Sequence, residues 1–138
     1  MHDVWETTVR FAETDAQGIV FYGEYVTYQD ETFSQYLREV GYPWTEIEQE
    51  NWDIHVVSVN IDYRAPAEFS DELVCGIRVA AIEESSLTLE WRCRRRDGPV
   101  CAEGTVTHVA VSDGETTRVP EGFRKAVRDY QTEPPEPV

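Results

Sequence analysis

The stretch "VWETTVRF", residues 4–11, sets Trp5, Thr7, Val9 and Phe11 against Val4, Glu6, Thr8 and Arg10, the period-two pattern of a strand with one buried face. From about Gly23 to Val40 the period changes. Val26, Phe33, Leu37 and Val40 recur at helical spacing, and Tyr25, Tyr28 and Tyr36 widen the apolar stripe, which predicts one long, extensively buried helix. Gly41 followed by Pro43 supplies its stop, because glycine accepts the left-handed conformation after a helix and proline cannot extend it. After a short polar segment, "TEIEQENW", the runs "IHVVSVNIDYR", "ELVCGIRVAAI", "SLTLEWRCRRR" and "VCAEGTVTHVAV" read as strands, separated by the turn signals "APAEFSD", "EESS" and "DGP". The last three are joined by short loops and are expected to be antiparallel neighbours. "EGFRKAVRDY" can form a short helix. "QTEPPEPV" is too proline-rich and acidic to be expected to pack, which puts one domain at 1–130 and a disordered tail at 131–138.

The pattern therefore predicts an α+β domain: a strand, a loop, a long helix, then at least four antiparallel strands wrapping that helix. A sheet curled around one helix leaves an edge and an open groove, so a homodimer or homotetramer is expected. The 138 residues, 41% hydrophobic, fit one domain with a real core. No run of about 18 apolar residues is present to span a bilayer, and "MHDVWETTV" lacks the layout of a secretory signal; the expectation is a cytoplasmic protein without membrane insertion.

Charge narrows the partners. A formal net charge of −15 argues against nucleic acid, whose phosphates demand a basic surface. One lysine, Lys125, stands among 12 basic residues against 27 acidic ones, a bias that resembles proteins adapted to high salt, where self-repulsion is screened. Cys75, Cys93 and Cys101 form no CxxC pair, and His2, His55 and His108 show no metal-ligand spacing. Buried thiols, and no metal, are the reading.

The chemistry concentrates in "ETDAQGIVFYGEY", residues 13–25. Asp15 falls in the loop before the long helix, and Gly18 lets the backbone turn sharply ahead of the first helical amides near Tyr22 and Gly23. Those free N–H groups and the positive end of the helix dipole can hold a carbonyl oxygen as it becomes an oxyanion, while a carboxylate upstream attacks the carbonyl carbon or activates water. An aspartate before a helix can equally be a cap. Glu13 is read as a solvent-facing loop residue, and Glu24 and Glu31 as exposed or interface residues of the helix.

Two stretches, "VRFAETDAQGIVFYGEYVTYQDETFSQYLREVGY" and "VNIDYRAPAEFSDELV", resemble in order the hot-dog-fold acyl-CoA thioesterases of the 4-hydroxybenzoyl-CoA thioesterase type. The resemblance implies a central helix inside a wrapped antiparallel sheet, hydrolysis of an acyl-CoA to acid and CoA, and no cofactor. By position Asp15 matches the family's nucleophile or general base, Gly18 its loop glycine, and Tyr22 the position whose backbone amide serves the oxyanion; a histidine side chain there would be missing. Arg64 and the run Arg92–Arg96, Arg94 above all, are the concentrated positive charge for CoA phosphates, and Ser85 and Ser86 resemble the loop that touches pantetheine. Tyr22, Tyr25 and Trp52 would line the acyl site. The alternatives are a non-catalytic acyl-binding protein and an enoyl-CoA hydratase-like enzyme, the latter lacking its D-x-N-x-x-H motif here.

Overall fold

The computed structural model describes residues 1–136. Strand β1 (His2–Thr8) is followed by a single 3-10 turn (Phe11–Glu13), the long helix α1 (Glu24–Glu39), the short helix α2 (Trp44–Gln49), strands β2 (Asp53–Tyr63), β3 (Glu72–Ile82), β4 (Ser86–Arg95), β5 (Val100–Ser112) and β6 (Glu115–Thr116), and helix α3 (Glu121–Tyr130). One antiparallel sheet runs in the order β1-β3-β4-β5-β2, with β6 on β5. The expected meander is β3-β4-β5.

Helix α1 lies across β1, β3 and β4. Tyr25, Tyr28, Phe33, Tyr36 and Leu37 are buried against Leu73, Ile77, Leu89 and Trp91 from the sheet. Two polar residues share that face. Thr32 donates to the Tyr28 carbonyl (2.6 Å) and accepts the Trp91 indole N–H (3.2 Å), which removes the cost of burying both groups. Helix α3 closes the far end by packing Phe123 on Tyr42 and Trp52.

The structure departs from the sequence pattern at four places. The alternation of β1 ends at Thr8: Val9 is buried, but Phe11 turns outward into the 3-10 turn, 74% exposed and edge-on to Phe69. Val26 lies off the buried stripe at 43% exposure, while Gln29 replaces it inside. The polar segment forms α2, anchored by Ile47 and by the Trp44 indole donating to Ser34 (3.0 Å). The tail is the largest difference. Gln131 is buried: its Oε1 accepts the Tyr36 hydroxyl (2.6 Å) and the Val79 amide (2.7 Å), and its Nε2 donates to the Val79 and Glu133 carbonyls. The Glu136 amide then reaches the Ala80 carbonyl. Proline content does not prevent packing where one glutamine satisfies four groups; residues 137–138 of the expected tail lie outside the described residues.

The three thiols are buried as expected; beside Cys75, and out of water, the Cys93 thiol is pushed well above its ordinary range. His108 is buried against the Phe33 ring at 4.8 Å with its Nδ1 unpartnered among the described residues. Burial pushes its imidazole down to about 4 from 6.5. A depressed pKa means that the unfolded chain takes up the proton first, so this stability is present above pH 6.5 and is lost as pH falls toward 4.

Two outcomes follow for stability. Gln131→Ala should cost about 3 kcal/mol in urea unfolding, because Val79 and Tyr36 lose buried partners together. Wild-type stability should fall by up to roughly 3 kcal/mol between pH 6.5 and 4 from His108, and His108→Leu should flatten that part of the profile measured by chemical denaturation at each pH.

Candidate active site

The loop from Glu13 to Tyr22 is fastened at both ends. The Asp15 amide donates to the Ile19 carbonyl and the Gly18 amide to the Asp15 carbonyl, both at 2.9 Å, closing a tight turn in which Gly18 adopts φ +80°. That left-handed conformation costs glycine nothing and strains any other residue. Outside the turn, Val20 donates to the Ala67 carbonyl (2.8 Å) and Phe21 to the Glu13 carbonyl (2.9 Å), so the loop is docked on the segment that links β2 to β3.

Glu13 is the anchor, and it corrects the solvent-facing reading. It is buried; Oε1 accepts the Arg10 amide (2.9 Å) and the Tyr28 hydroxyl (3.0 Å), and Oε2 pairs with the Arg10 guanidinium (2.9 Å). Burial pushes its carboxyl up, but the hydrogen bonds from Arg10 and Tyr28 outweigh that and hold it below the usual carboxylate value of 4.5. The same bond and burial push the Tyr28 hydroxyl far up. One carboxylate thus ties the end of the strand, the loop and α1 together.

Asp15 is different. Its Oδ1 accepts the Gln17 amide (2.8 Å), an Asx turn, and its side chain faces a cavity of about 430 Å³ lined also by Tyr22, Tyr25, Tyr63 and Arg64. Gly23 is the N-cap of α1. The Tyr22 and Gly23 amides donate to no acceptor among the described residues, as expected where a helix begins. The Tyr22 ring is exposed and lies tilted at 41° against Phe21, with ring centres 4.5 Å apart. A carboxylate beside a helix start whose first amides are free can drive attack at a carbonyl and hold the oxygen that becomes negative.

The structure brings Asp15, Gly18, Tyr22, Gly23 and Arg64 to one end of the molecule. Arg64 sits on the rim, 3.4 Å from Glu103 and 3.7 Å from Asp62. Arg94 is on the sheet face away from α1 and pairs with Asp3 (3.2 Å). Ser85 and Ser86 are distant as well. Ser86 lies opposite Val109 and Tyr63 opposite Ala102, which separates them by about 23 Å along β5 at roughly 3.3 Å per residue. Trp52 packs on Phe123 at the far end of β2, outside the Asp15 cavity. Tyr63 is the residue to which the sequence pattern assigns no role: its hydroxyl donates to the Tyr22 carbonyl (3.1 Å) and its ring stands edge-on to Tyr25 at 5.6 Å. The signal is its place as the last inward residue of a strand ending in "DYRAP".

A curled antiparallel sheet around one long helix, with a carboxylate-bearing loop at the start of that helix, is the hot-dog arrangement of the thioester hydrolases. The chain belongs to the thioesterase-like superfamily, which it matches over residues 9–127. Among its relatives, the acyl-CoA thioester hydrolase YbgC of Escherichia coli is 24% identical over 107 residues, 78% of this chain and 80% of the relative. The 1,4-dihydroxy-2-naphthoyl-CoA hydrolase of Synechococcus is 26% identical over 123 residues, 83% and 82% of the two chains. The solved structure of BH1999 gentisyl-coenzyme A thioesterase superimposes with a TM-score of 0.79 at 28% identity, covering 89% of this chain and 97% of that one.

Glu13→Gln keeps the shape and removes the charge from three hydrogen bonds, so it should cost about 2 kcal/mol at pH 7 in thermal unfolding. Because the depressed carboxyl contributes above pH 4.5 and loses that contribution as pH falls through its folded value, the gap between mutant and wild type should close below pH 4.5.

Proposed function

We propose that this protein hydrolyses an acyl-CoA thioester to the free acid and CoA, with Asp15 as nucleophile or general base. The thioester carbonyl oxygen lies at the Tyr22 and Gly23 amides, and Asp15 attacks the carbonyl carbon or takes a proton from the water that does. Coenzyme A leaves as the thiol, and the water supplies its hydrogen and the oxygen of the acid. No cofactor enters the reaction, since a carboxylate and a helix dipole supply base and oxyanion stabilisation. The observation that carries the reading is the single cleft shared by Asp15 and the start of α1. The tyrosines around it suit an aromatic or short acyl group, in keeping with a relative named for a dihydroxynaphthoyl thioester. Arg64 on the rim is the nearest cation for a CoA phosphate; Arg94, Ser85 and Ser86 reach substrate only across a subunit boundary, so the working enzyme is a homo-oligomer.

The test is hydrolysis of short, long and aromatic acyl-CoAs in molar KCl, the salt chosen for the excess of acidic residues, with a free-thiol readout. Asp15→Asn should lower kcat by about 10³-fold or more with little change in KM, whereas Tyr22→Phe should stay near wild type because the oxyanion contact is a backbone one. Binding of acyl-CoA without cleavage of any member of the panel would convert the assignment to an acyl-binding protein.

A further inference from the structure

Tyr63 ends β2 beside the start of α1, and its hydroxyl donates to the Tyr22 carbonyl at 3.1 Å. That carbonyl has little else to hold it. Among the described residues its other partner is the Tyr25 amide at 3.4 Å, long against the usual value of about 2.9–3.0 Å and correspondingly weak. The carbonyl before it, of Phe21, accepts the Glu24 amide at 2.9 Å and needs no such support. Where the chain enters the helix, one peptide is therefore fixed by a phenol from the sheet.

The Tyr22 carbonyl and the Gly23 N–H belong to one planar trans unit, and in such a unit the two groups point in opposite directions. The hydroxyl bonded at the carbonyl end leaves the N–H end open, and the Gly23 N–H donates to no acceptor among the described residues. Two effects reach it through the peptide. Holding the carbonyl fixes the plane of the unit and so the direction of the N–H. A proton placed on the carbonyl oxygen also draws electron density from the amide, and hydrogen bonds linked in this way strengthen one another by about 10–30%. The far flank of the unit is closed as well: a Cβ built on Gly23 would stand 2.8 Å from the Phe21 ring, so that ring abuts a bare Cα.

Tyr63 is itself held. Its ring stands edge-on to the buried Tyr25 at 5.6 Å, Tyr25 stands edge-on to Tyr28 at 5.7 Å, and the Tyr28 hydroxyl donates to Glu13 at 3.0 Å. Behind it the Arg64 and Ala65 amides share the Cys101 carbonyl at 2.8 and 3.3 Å, which secures the end of the strand. The Glu13 carbonyl accepts the Phe21 amide at 2.9 Å, so this line of contacts closes on the segment that Tyr63 grips.

We infer that Tyr63 is a positioning residue for the oxyanion site: its hydroxyl orients and polarises the Tyr22–Gly23 peptide so that the Gly23 N–H meets the thioester oxygen as that oxygen gains charge. The phenol keeps its proton throughout and gives none to substrate. The identity of the oxygen at that N–H rests on the thioesterase reading; the hold on the peptide does not.

The test is Tyr63→Phe, which keeps the ring and removes the donor. In the ¹H–¹⁵N spectrum of the free protein the Gly23 amide proton should move upfield, toward that of an unpolarised peptide. In hydrolysis of the short, long and aromatic acyl-CoAs, kcat should fall about tenfold with KM changed by less than about twofold, less than the 10²–10³-fold that loss of an oxyanion donor itself brings. Incorporating 3-fluorotyrosine at position 63 restores a donor of the same shape and should recover most of the lost kcat. A Tyr63→Phe enzyme with wild-type kcat, a Gly23 amide that does not move, or a rise in KM that accounts for the whole loss would overturn the inference. A shifted Gly23 amide in a protein that cleaves no acyl-CoA would instead remove the thioesterase reading, and with it the catalytic use of Tyr63, and leave only its hold on the peptide.

Discussion

One helix must be buried by one face of one sheet, and most of the structure follows from that constraint. α1 carries five large apolar side chains on a single face, and the sheet covers most of them, with Trp44 of α2 on Phe33 and Tyr130 of α3 on Tyr36 at the flanks. The sheet curls to do so, yet it is wider than the helix. α1 packs chiefly on β1, β3 and β4 and reaches β5 where Phe33 meets His108, while β2 keeps Val56, Val59 and Tyr63 largely exposed. The uncovered apolar edge is therefore a geometric remainder of the packing that stabilises the monomer.

The same constraint fixes where chemistry can happen. A buried helix hides its side-chain surface, but its first amides have no partner and must meet solvent, a ligand or a cap. Here the chain arrives at α1 through a loop clamped by Glu13, Gly18 and Ala67, which sets Tyr22, just ahead of the helix, on the cleft that Asp15 lines. In so acidic a protein the local field matters more than the net charge. Arg64 is held on the rim by Asp62 and Glu103 and stays the nearest cation to the cleft. High salt would screen the long-range repulsion of CoA phosphates by the surface while leaving these contacts within a few ångströms largely intact.

The long-period features were legible in the sequence: the five main strands, the meander and α1 with its glycine stop follow from periodicity and turn residues. What escaped depends on single contacts. Phe11 continues the alternation of β1 perfectly, but the chain must bend to carry Glu13 under Tyr28, and the bend throws Phe11 outward. Gln131 sits in a segment whose composition says disorder, and only the geometry of Tyr36 and Val79 reveals a place for its amide. The bulge at Val57, between Val56 and Ser58, has no signature in "HVVSVN", whose three valines all favour a regular strand. Candidate-site residues divide in the same way. Asp15, Gly18, Tyr22 and Gly23 are local in sequence and come together; Ser86 and Arg94 lie on other strands, and their distance from the cleft is set by topology that spacing along the chain does not encode.

The two acids of "ETD" show how little residue type decides by itself. Glu13 and Asp15 differ by a methylene and are separated by one residue. Glu13 has both oxygens engaged by Arg10 and Tyr28, so any proton or carbonyl it approached would have to displace a buried ion pair, and its carboxylate is committed to holding the loop. Asp15 spends one oxygen on the Gln17 amide, which orients it, lines the cleft, and has its other oxygen free of hydrogen bonds among the described residues. A base needs an open lone pair that is also held still. The turn through Gly18 supplies the orientation and the cavity supplies the opening, and of the two carboxylates only Asp15 has both.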